Sequence, residues 1–349
     1  MATAFLVASA NEFEFAVIGT QKGGTTSLTQ HMRRRDLCVH GEARLMSSLI
    51  ATTKTQRGCK VSGLVDPGAA YLFVLLEAQG ARLLSALAAH RTRLIFLLRE
   101  PIQRAFSAYL MRKLDTSKAG LRYESFDSLV RSEASWLGDA SARPPPRALI
   151  TSGKDIKDHV RYGAYGEQLR LLQARGYRLV PPAAARAGGS SLLLVLISER
   201  VRAHGPQERA RLWRFLGVDQ DDVGNESRPI FERRGVYDGH ENLSSWAVHT
   251  LHAAYRDDRR LVYEALGEIV PEWESWYLER GLGSSLSAAG AAASGAPEPP
   301  REPPSPPSPP PSPPPPSTVP LAITILAVAA TLTSIAWFVC VFRFDCEFW

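Results

Sequence analysis

A chain of 349 residues, 45% hydrophobic and 22% charged, is long enough for one large globular domain with appendages or for two small ones. Its 41 Lys and Arg against 35 Asp and Glu leave a formal charge of +6, which favours anionic ligands but lacks the basic tail of a nucleic-acid binder. With no basic tail, no nucleic-acid partner is expected; four cysteines are too few for a disulfide scaffold and no pair has zinc-site spacing, so no structural metal is expected either.

Taken in order, residues 13–281 alternate short apolar runs with amphipathic stretches. The runs at 14–19, 93–98 and 191–197 are continuously apolar, as strands buried on both faces are. Helical periodicity covers 26–33, 103–113, 166–175, 206–216 and 243–266. This alternation predicts one α/β domain over 1–281, a three-layer fold with a central parallel sheet flanked by helices. Cys38 and Cys59 are its one candidate bridge, because Cys340 and Cys346 belong to an apolar tail.

After 281 the composition turns to Ala, Gly and Ser, then to proline, and neither stretch can bury a core. Proline at this density enforces polyproline II, so 297–320 reads as a semi-rigid stalk roughly 70 Å long within a 282–320 linker. Residues 321–342 carry no charge and would make a helix about 33 Å long, the thickness of a bilayer core. A C-terminal transmembrane helix is expected there, with 343–349 as a short tail.

The densest chemical signal is Phe15-Ala-Val-Ile-Gly-Thr-Gln-Lys-Gly-Gly-Thr-Thr-Ser-Leu, a strand running into a Gly-rich turn and a helix. Such a turn exposes backbone N–H groups to an anion, and the helix N-terminus adds partial positive charge. Lys22 supplies a full charge, Gly23 and Gly24 the close approach, and Thr25, Thr26 and Ser27 hydroxyls. A nucleoside triphosphatase loop would place its Lys after the last Gly, directly before the hydroxyl residue; Lys22 instead precedes Gly23-Gly24. No apolar strand in this reading ends in the Asp that would hold magnesium, since 93–98 runs into Arg99.

Ile18-Gly-Thr-Gln-Lys-Gly-Gly-Thr-Thr-Ser-Leu resembles the 5′-phosphosulfate loop of sulfotransferases that use 3′-phosphoadenosine 5′-phosphosulfate (PAPS), particularly the heparan-sulfate and related carbohydrate branch. Leu94-Ile-Phe-Leu-Leu-Arg-Glu-Pro, with Ser107 eight residues after the Arg, resembles that family's 3′-phosphate segment. The resemblance spans roughly 13–280, with weaker echoes in Tyr162-Gly-Ala-Tyr-Gly-Glu-Gln-Leu, Leu194-Val-Leu-Ile-Ser-Glu-Arg-Val and Phe215-Leu-Gly-Val. It implies PAPS as co-substrate without a metal, a P-loop-like fold, Arg99 and Ser107 on the 3′-phosphate, and Arg233 and Arg234 closing over the nucleotide. His40-Gly-Glu-Ala-Arg-Leu-Met matches the family's catalytic-base stretch and points to Glu42, with Lys22 stabilising the leaving group; Gly41 and Leu45-Met46 depart from the pattern. His40, with an intrinsic pKa nearer neutrality, is the rival base. Val65-Asp-Pro-Gly-Ala-Ala-Tyr resembles a segment lining the acceptor cleft.

The implied reaction is sulfuryl transfer to a hydroxyl, with a glycan or glycoprotein as acceptor. Protein-tyrosine sulfation, phosphate transfer by a P-loop kinase and an inactive glycan-binding homologue remain alternatives. Location is read both ways. The start has no basic n-region and would suit a tail-anchored cytosolic enzyme. The Ser-Pro stalk, the sequons at Asn225 and Asn242 and the family's habit point to a single-pass Golgi membrane protein with a lumenal catalytic domain.

Overall fold

The computed structural model describes residues 13–33, 37–42, 61–75, 77–118, 120, 122–138, 150–151, 155–156, 158–181, 191–218 and 242–283. Residues 284–320 of the linker, residues 321–342, Asn225, Arg233 and Arg234 lie outside them, while Leu282, at the expected start of the linker, is buried in the domain's core. Among the described residues no helix is long and apolar enough to cross a membrane.

Six strands form one sheet in the order β2-β3-β1-β4-β8-β7, where β1 is Phe15–Gly19, β2 Cys38–Glu42, β3 Ser62–Val65, β4 Arg93–Leu98, β7 Arg178–Leu179 and β8 Leu192–Ile197. Every pairing is parallel, as the apolar runs require. Residues of β1, β4 and β8 point alternately to the two faces, and both faces are buried. Ala16, Ile18, Leu94, Phe96, Leu98, Leu193, Val195 and Ile197 pack into one core. Phe15, Val17, Ile95, Leu97, Leu192, Leu194 and Leu196 pack into the other. Each Val, Leu, Ile or Phe among them contributes roughly 1.5–3 kcal/mol by leaving water, so these strands anchor the domain.

Helices cover both faces, which makes three layers. The second core takes Leu28 and Met32 of α1 (Thr25–Arg33), Val201 of α8 (Ser198–Ala203) and Leu212, Trp213 and Leu216 of α9 (Gly205–Leu216). The first core takes α2 (Ala69–Leu75), α3 (Glu77–Ala89), α4 (Pro101–Lys118), α5 (Phe126–Glu133) and α7 (Tyr165–Ala174). Three C-terminal helices complete it: α10 (Ser245–Ala254), α11 (Arg256–Leu266) and α12 (Pro271–Leu278). A four-residue α6 (Ser135–Gly138) and a β5–β6 hairpin (Ile150–Thr151, Asp155–Ile156) lie in the α5–α7 connection.

Two expectations are corrected. The run 243–266 is not one helix: it breaks at Tyr255, whose fully buried hydroxyl donates to the Val160 carbonyl. Asp257 and Asp258 open α11, where carboxylates suit a helix N-terminus. The second correction is that β3 runs directly into Asp66, so one strand of this sheet does end in an aspartate.

Candidate active site

All carboxyl ends of a parallel sheet face one way, and ligands settle there, at the point where strand order reverses. Here β3 and β2 lie on one side of β1 while β4 and β8 lie on the other, so the reversal falls between β1 and β4. The loop after β1 and Arg99 after β4 flank this gap.

The loop is fastened to β4. Thr20 N–H donates to the Leu97 carbonyl at 2.7 Å, and Gly23 N–H turns back to the Thr20 carbonyl at 2.9 Å. Gly23 is required by contact, since a Cβ there would stand 2.8 Å from the Leu97 carbonyl oxygen. Lys22 takes a left-handed backbone, φ 67°, which puts its half-buried side chain at the apex of the turn. Thr25, which opens α1, is buried; Ser27 is half-buried and Thr26 exposed. Leu28 N–H bonds the Gly24 carbonyl, so the helix starts on the loop itself.

Arg99 joins the two halves of the predicted nucleotide site. Its Nη1 donates to the Lys22 carbonyl at 3.2 Å, and its Nη2 lies 3.5 Å from Gln103 Oε1 on α4. Ser107 is half-buried one turn beyond Gln103, so Arg99, Gln103 and Ser107 follow an i, i+4 stripe. Arg99 Nε is buried without a hydrogen-bond partner among the described residues. Burial, then the neighbouring Arg202 on α8, hold the guanidinium below its ordinary value, while Glu199 and Glu100 oppose them. Adjacent cations around a backbone cradle fit a phosphorylated ligand.

Behind Arg99 a buried carboxyl orders the start of α4. Glu100 Oε1 accepts from Ile102 N–H at 3.0 Å and Oε2 from Gln103 N–H at 2.6 Å, and Tyr277 Oη donates to Oε1 at 2.7 Å. Burial still pushes this carboxyl up to about 7. Glu199 Oε1 accepts from Glu100 N–H at 3.1 Å and Oε2 from Trp273 Nε1 at 3.2 Å, which ties α8 to β4 and α12.

On the other side, Glu42 ends β2 in register with Val65, the last residue of β3, and His40 pairs with Leu64. Both therefore stand at the carboxyl edge that carries the loop. Asp66 follows, 4% exposed, its N–H bonded to the Val17 carbonyl at 2.8 Å and its Oδ1 accepting from Gly68 N–H at 2.9 Å. Tyr71 on α2 stacks on Tyr162, ring centroids 4.0 Å apart, and donates to Asp158 Oδ2. Arg161 N–H holds Asp158 Oδ1 at 3.1 Å, yet burial pushes that carboxyl up to about 7. Behind Tyr162 lies the fully buried Arg104 guanidinium, 5.6 Å from the ring centroid. Beside it burial, then Arg104 and Arg112, push His159 down to about 3, and Tyr123 Oη lies 2.8 Å from His159 Nε2.

Cys38 is disulfide-bonded; the other three cysteines lie outside the described residues. No cluster of His, Cys, Asp and Glu with metal-holding geometry occurs among the described residues.

The structure thus brings Lys22, Gly23, Gly24, Thr25, Arg99, Glu42 and Ser107 to one edge of the sheet or the helices leaving it. Sequence reading carried Asp66, Glu100 and Ser198 only inside segments that resemble the family's, with no role of their own, and missed Asp158. Asp66 had a signal in its place after Gly63-Leu-Val, and Ser198 in its place directly after the strand at 191–197; Asp158 and Glu100 become notable only through burial.

No family model matches the chain, and no curated protein matches it. Among solved structures the chain is similar to one described as a sulfotransferase from Alicyclobacillus acidocaldarius, with a TM-score of 0.47 and 18% identity over 75% of this chain and 98% of that one. Similarity at that level carries no argument about chemistry.

Proposed function

We propose that the protein is a sulfotransferase that takes the sulfuryl group of PAPS to a hydroxyl acceptor, a glycan or glycoprotein. The observation that carries this reading is the 3.2 Å bond from Arg99 to the Lys22 carbonyl, which joins two anion-handling segments 77 residues apart across the switch point. The residues fit the co-substrate. Lys22, the loop N–H groups and the Thr25, Thr26 and Ser27 hydroxyls would face its 5′ end, and Arg99 with Ser107 its 3′-phosphate, while Arg233 and Arg234 would close over it. PAPS supplies the sulfuryl group and a phosphate leaving group; Lys22 would answer the charge that develops there. Glu42 would take the acceptor proton, with His40 as the rival base at the same strand end.

We place the catalytic domain in the Golgi lumen, tethered by the 282–320 stalk and a membrane helix at 321–342. The Cys38 disulfide supports an oxidising compartment. Asn242 is exposed, as an acceptor for N-glycosylation must be. Incubating the full-length protein with radiolabelled PAPS and a panel of glycans and tyrosine peptides tests the activity. Label on a glycan supports the reading, label on a peptide tyrosine moves it to protein sulfation, and nucleotide binding without transfer marks a glycan-binding homologue. Protease treatment of sealed vesicles tests the placement: a protected domain supports the lumen, a digested one the cytosol.

Asp66 gives a second reading its footing. A carboxylate at the end of the strand beside the phosphate-loop strand is where phosphoryl-transfer enzymes hold magnesium. Against it, one Asp66 oxygen already accepts from Gly68 N–H, and Lys22 stands on the wrong side of the glycines. Magnesium-dependent binding of ATP in preference to PAPS would decide for this alternative.

A further inference from the structure

The strand after β4 in the sheet, β8, ends at Ile197, and the next residue, Ser198, opens α8. Ser198 is fully buried, and its hydroxyl donates to the Gly23 carbonyl of the loop, 175 residues away. β4 stands between β8 and β1, so this hydroxyl reaches across the end of a whole strand.

Two consecutive loop carbonyls are then drawn the same way: Lys22 to Arg99 at the end of β4, and Gly23 to Ser198 at the end of β8. In a trans peptide the C=O and the following N–H point in opposite directions. Holding the Gly23 carbonyl toward Ser198 therefore turns the Gly24 N–H the opposite way, away from the end of β8. Without the Ser198 hydroxyl this peptide plane has no side-chain fastening among the described residues. A backbone cradle binds an anion well only when its N–H groups are already aimed.

We propose that Ser198 is a positioning residue that presents the Gly24 N–H to the 5′-phosphate end of the nucleotide. This role rests on the PAPS reading above. It is specific to one end of the ligand, because Ser198 acts on the loop while Arg99 and Ser107 serve the 3′-phosphate.

The test compares two ligands by calorimetry on the full-length protein and its variants: 3′-phosphoadenosine 5′-phosphate, and adenosine 3′-phosphate, which lacks the 5′ group. Ser198→Ala should weaken the first by about tenfold, the upper range for one hydrogen bond, and the second by less than about twofold. Ser198→Cys keeps the side-chain shape, slightly enlarged, with a weaker donor and should fall between wild type and Ser198→Ala, a graded rescue that lost packing alone would not give. Equal weakening of both ligands, or of neither, overturns the positioning role. Failure of the wild-type protein to bind either nucleotide instead overturns the PAPS reading, and the role with it.

Discussion

The two halves of the sheet's carboxyl edge are built differently. On the β1–β4–β8 side the candidate site is made of backbone, with short side chains and Arg99 fastening one loop to the ends of two neighbouring strands. On the β2–β3 side it is made of side chains, with buried carboxyls at Asp66 and Asp158 and a stacked tyrosine pair. A backbone cradle reads any phosphate of the right shape, whereas carboxyls and rings select what approaches them. On the function proposed above, the first half would take the shared co-substrate and the second the particular acceptor.

Mutations should separate the halves by which kinetic constant they move. The largest effect is expected at the boundary, at Lys22. Lys22→Ala should lower kcat by at least ~10²-fold, the cost of removing one charge-stabilising donor. Ala tolerates φ 67° no worse than Lys, so the fold should be unchanged. Retention of more than about a tenth of the rate, or ~1.4 kcal/mol, would take Lys22 out of the chemistry.

Next is Glu42→Gln, expected to lower turnover by ~10²-fold while nucleotide affinity stays unchanged, since a base acts on the acceptor proton. His40→Ala should cost less. The reverse ranking would move the base to His40, and lost nucleotide affinity in Glu42→Gln would erase the division between the halves. Arg99→Lys should act the other way, raising the KM for PAPS about tenfold with kcat nearly constant. A point charge cannot donate to the Lys22 carbonyl and a phosphate in the planar geometry that guanidinium offers.

The smallest effect concerns pH. Burial raises Asp158 from 3.8 to about 7, so between about pH 4 and 7 the folded chain keeps a proton that the unfolded chain releases. Stability from this group is therefore lost as pH rises through that window. Asp158→Asn should flatten the fall in Tm between about pH 4 and 7, leaving the part due to Glu100, Glu133 and Asp258, which shift the same way. An unchanged slope would mean that Asp158 is ionised throughout the range.

The first half was legible in the sequence because its signals are local. β1, β4 and β8 announce themselves as unbroken apolar runs, and Lys22-Gly-Gly lies within one turn of chain. β2 and β3 were not read as strands, and the reason is chemical. β3 is only Ser-Gly-Leu-Val, and Gly63 is there because the Phe15 ring of β1 fills the space its Cβ would need. That packing demand breaks the β pattern which would reveal the strand, so Asp66 was read as part of a cleft-lining segment and not as the residue that ends a strand. The break at Tyr255 was hidden likewise: helical periodicity continues through it, and only the distant Val160 carbonyl explains the stop. Ser198 was read only as one residue of a late strand segment that resembles the family's, since its partner is fixed by strand order.

The same strand order bears on how the chain is made. Synthesis runs from the amino terminus, so β1 and its glycine-rich turn leave the ribosome early, while β8 and Ser198 follow only after most of the domain. Until then β4 has an open edge where β8 will pair, with apolar residues on both of its faces, the kind of surface chaperones cover. A transcript cut short between the codons for Arg99 and Ser198 would encode the loop, its lysine and that arginine, yet give a product whose cradle is never closed.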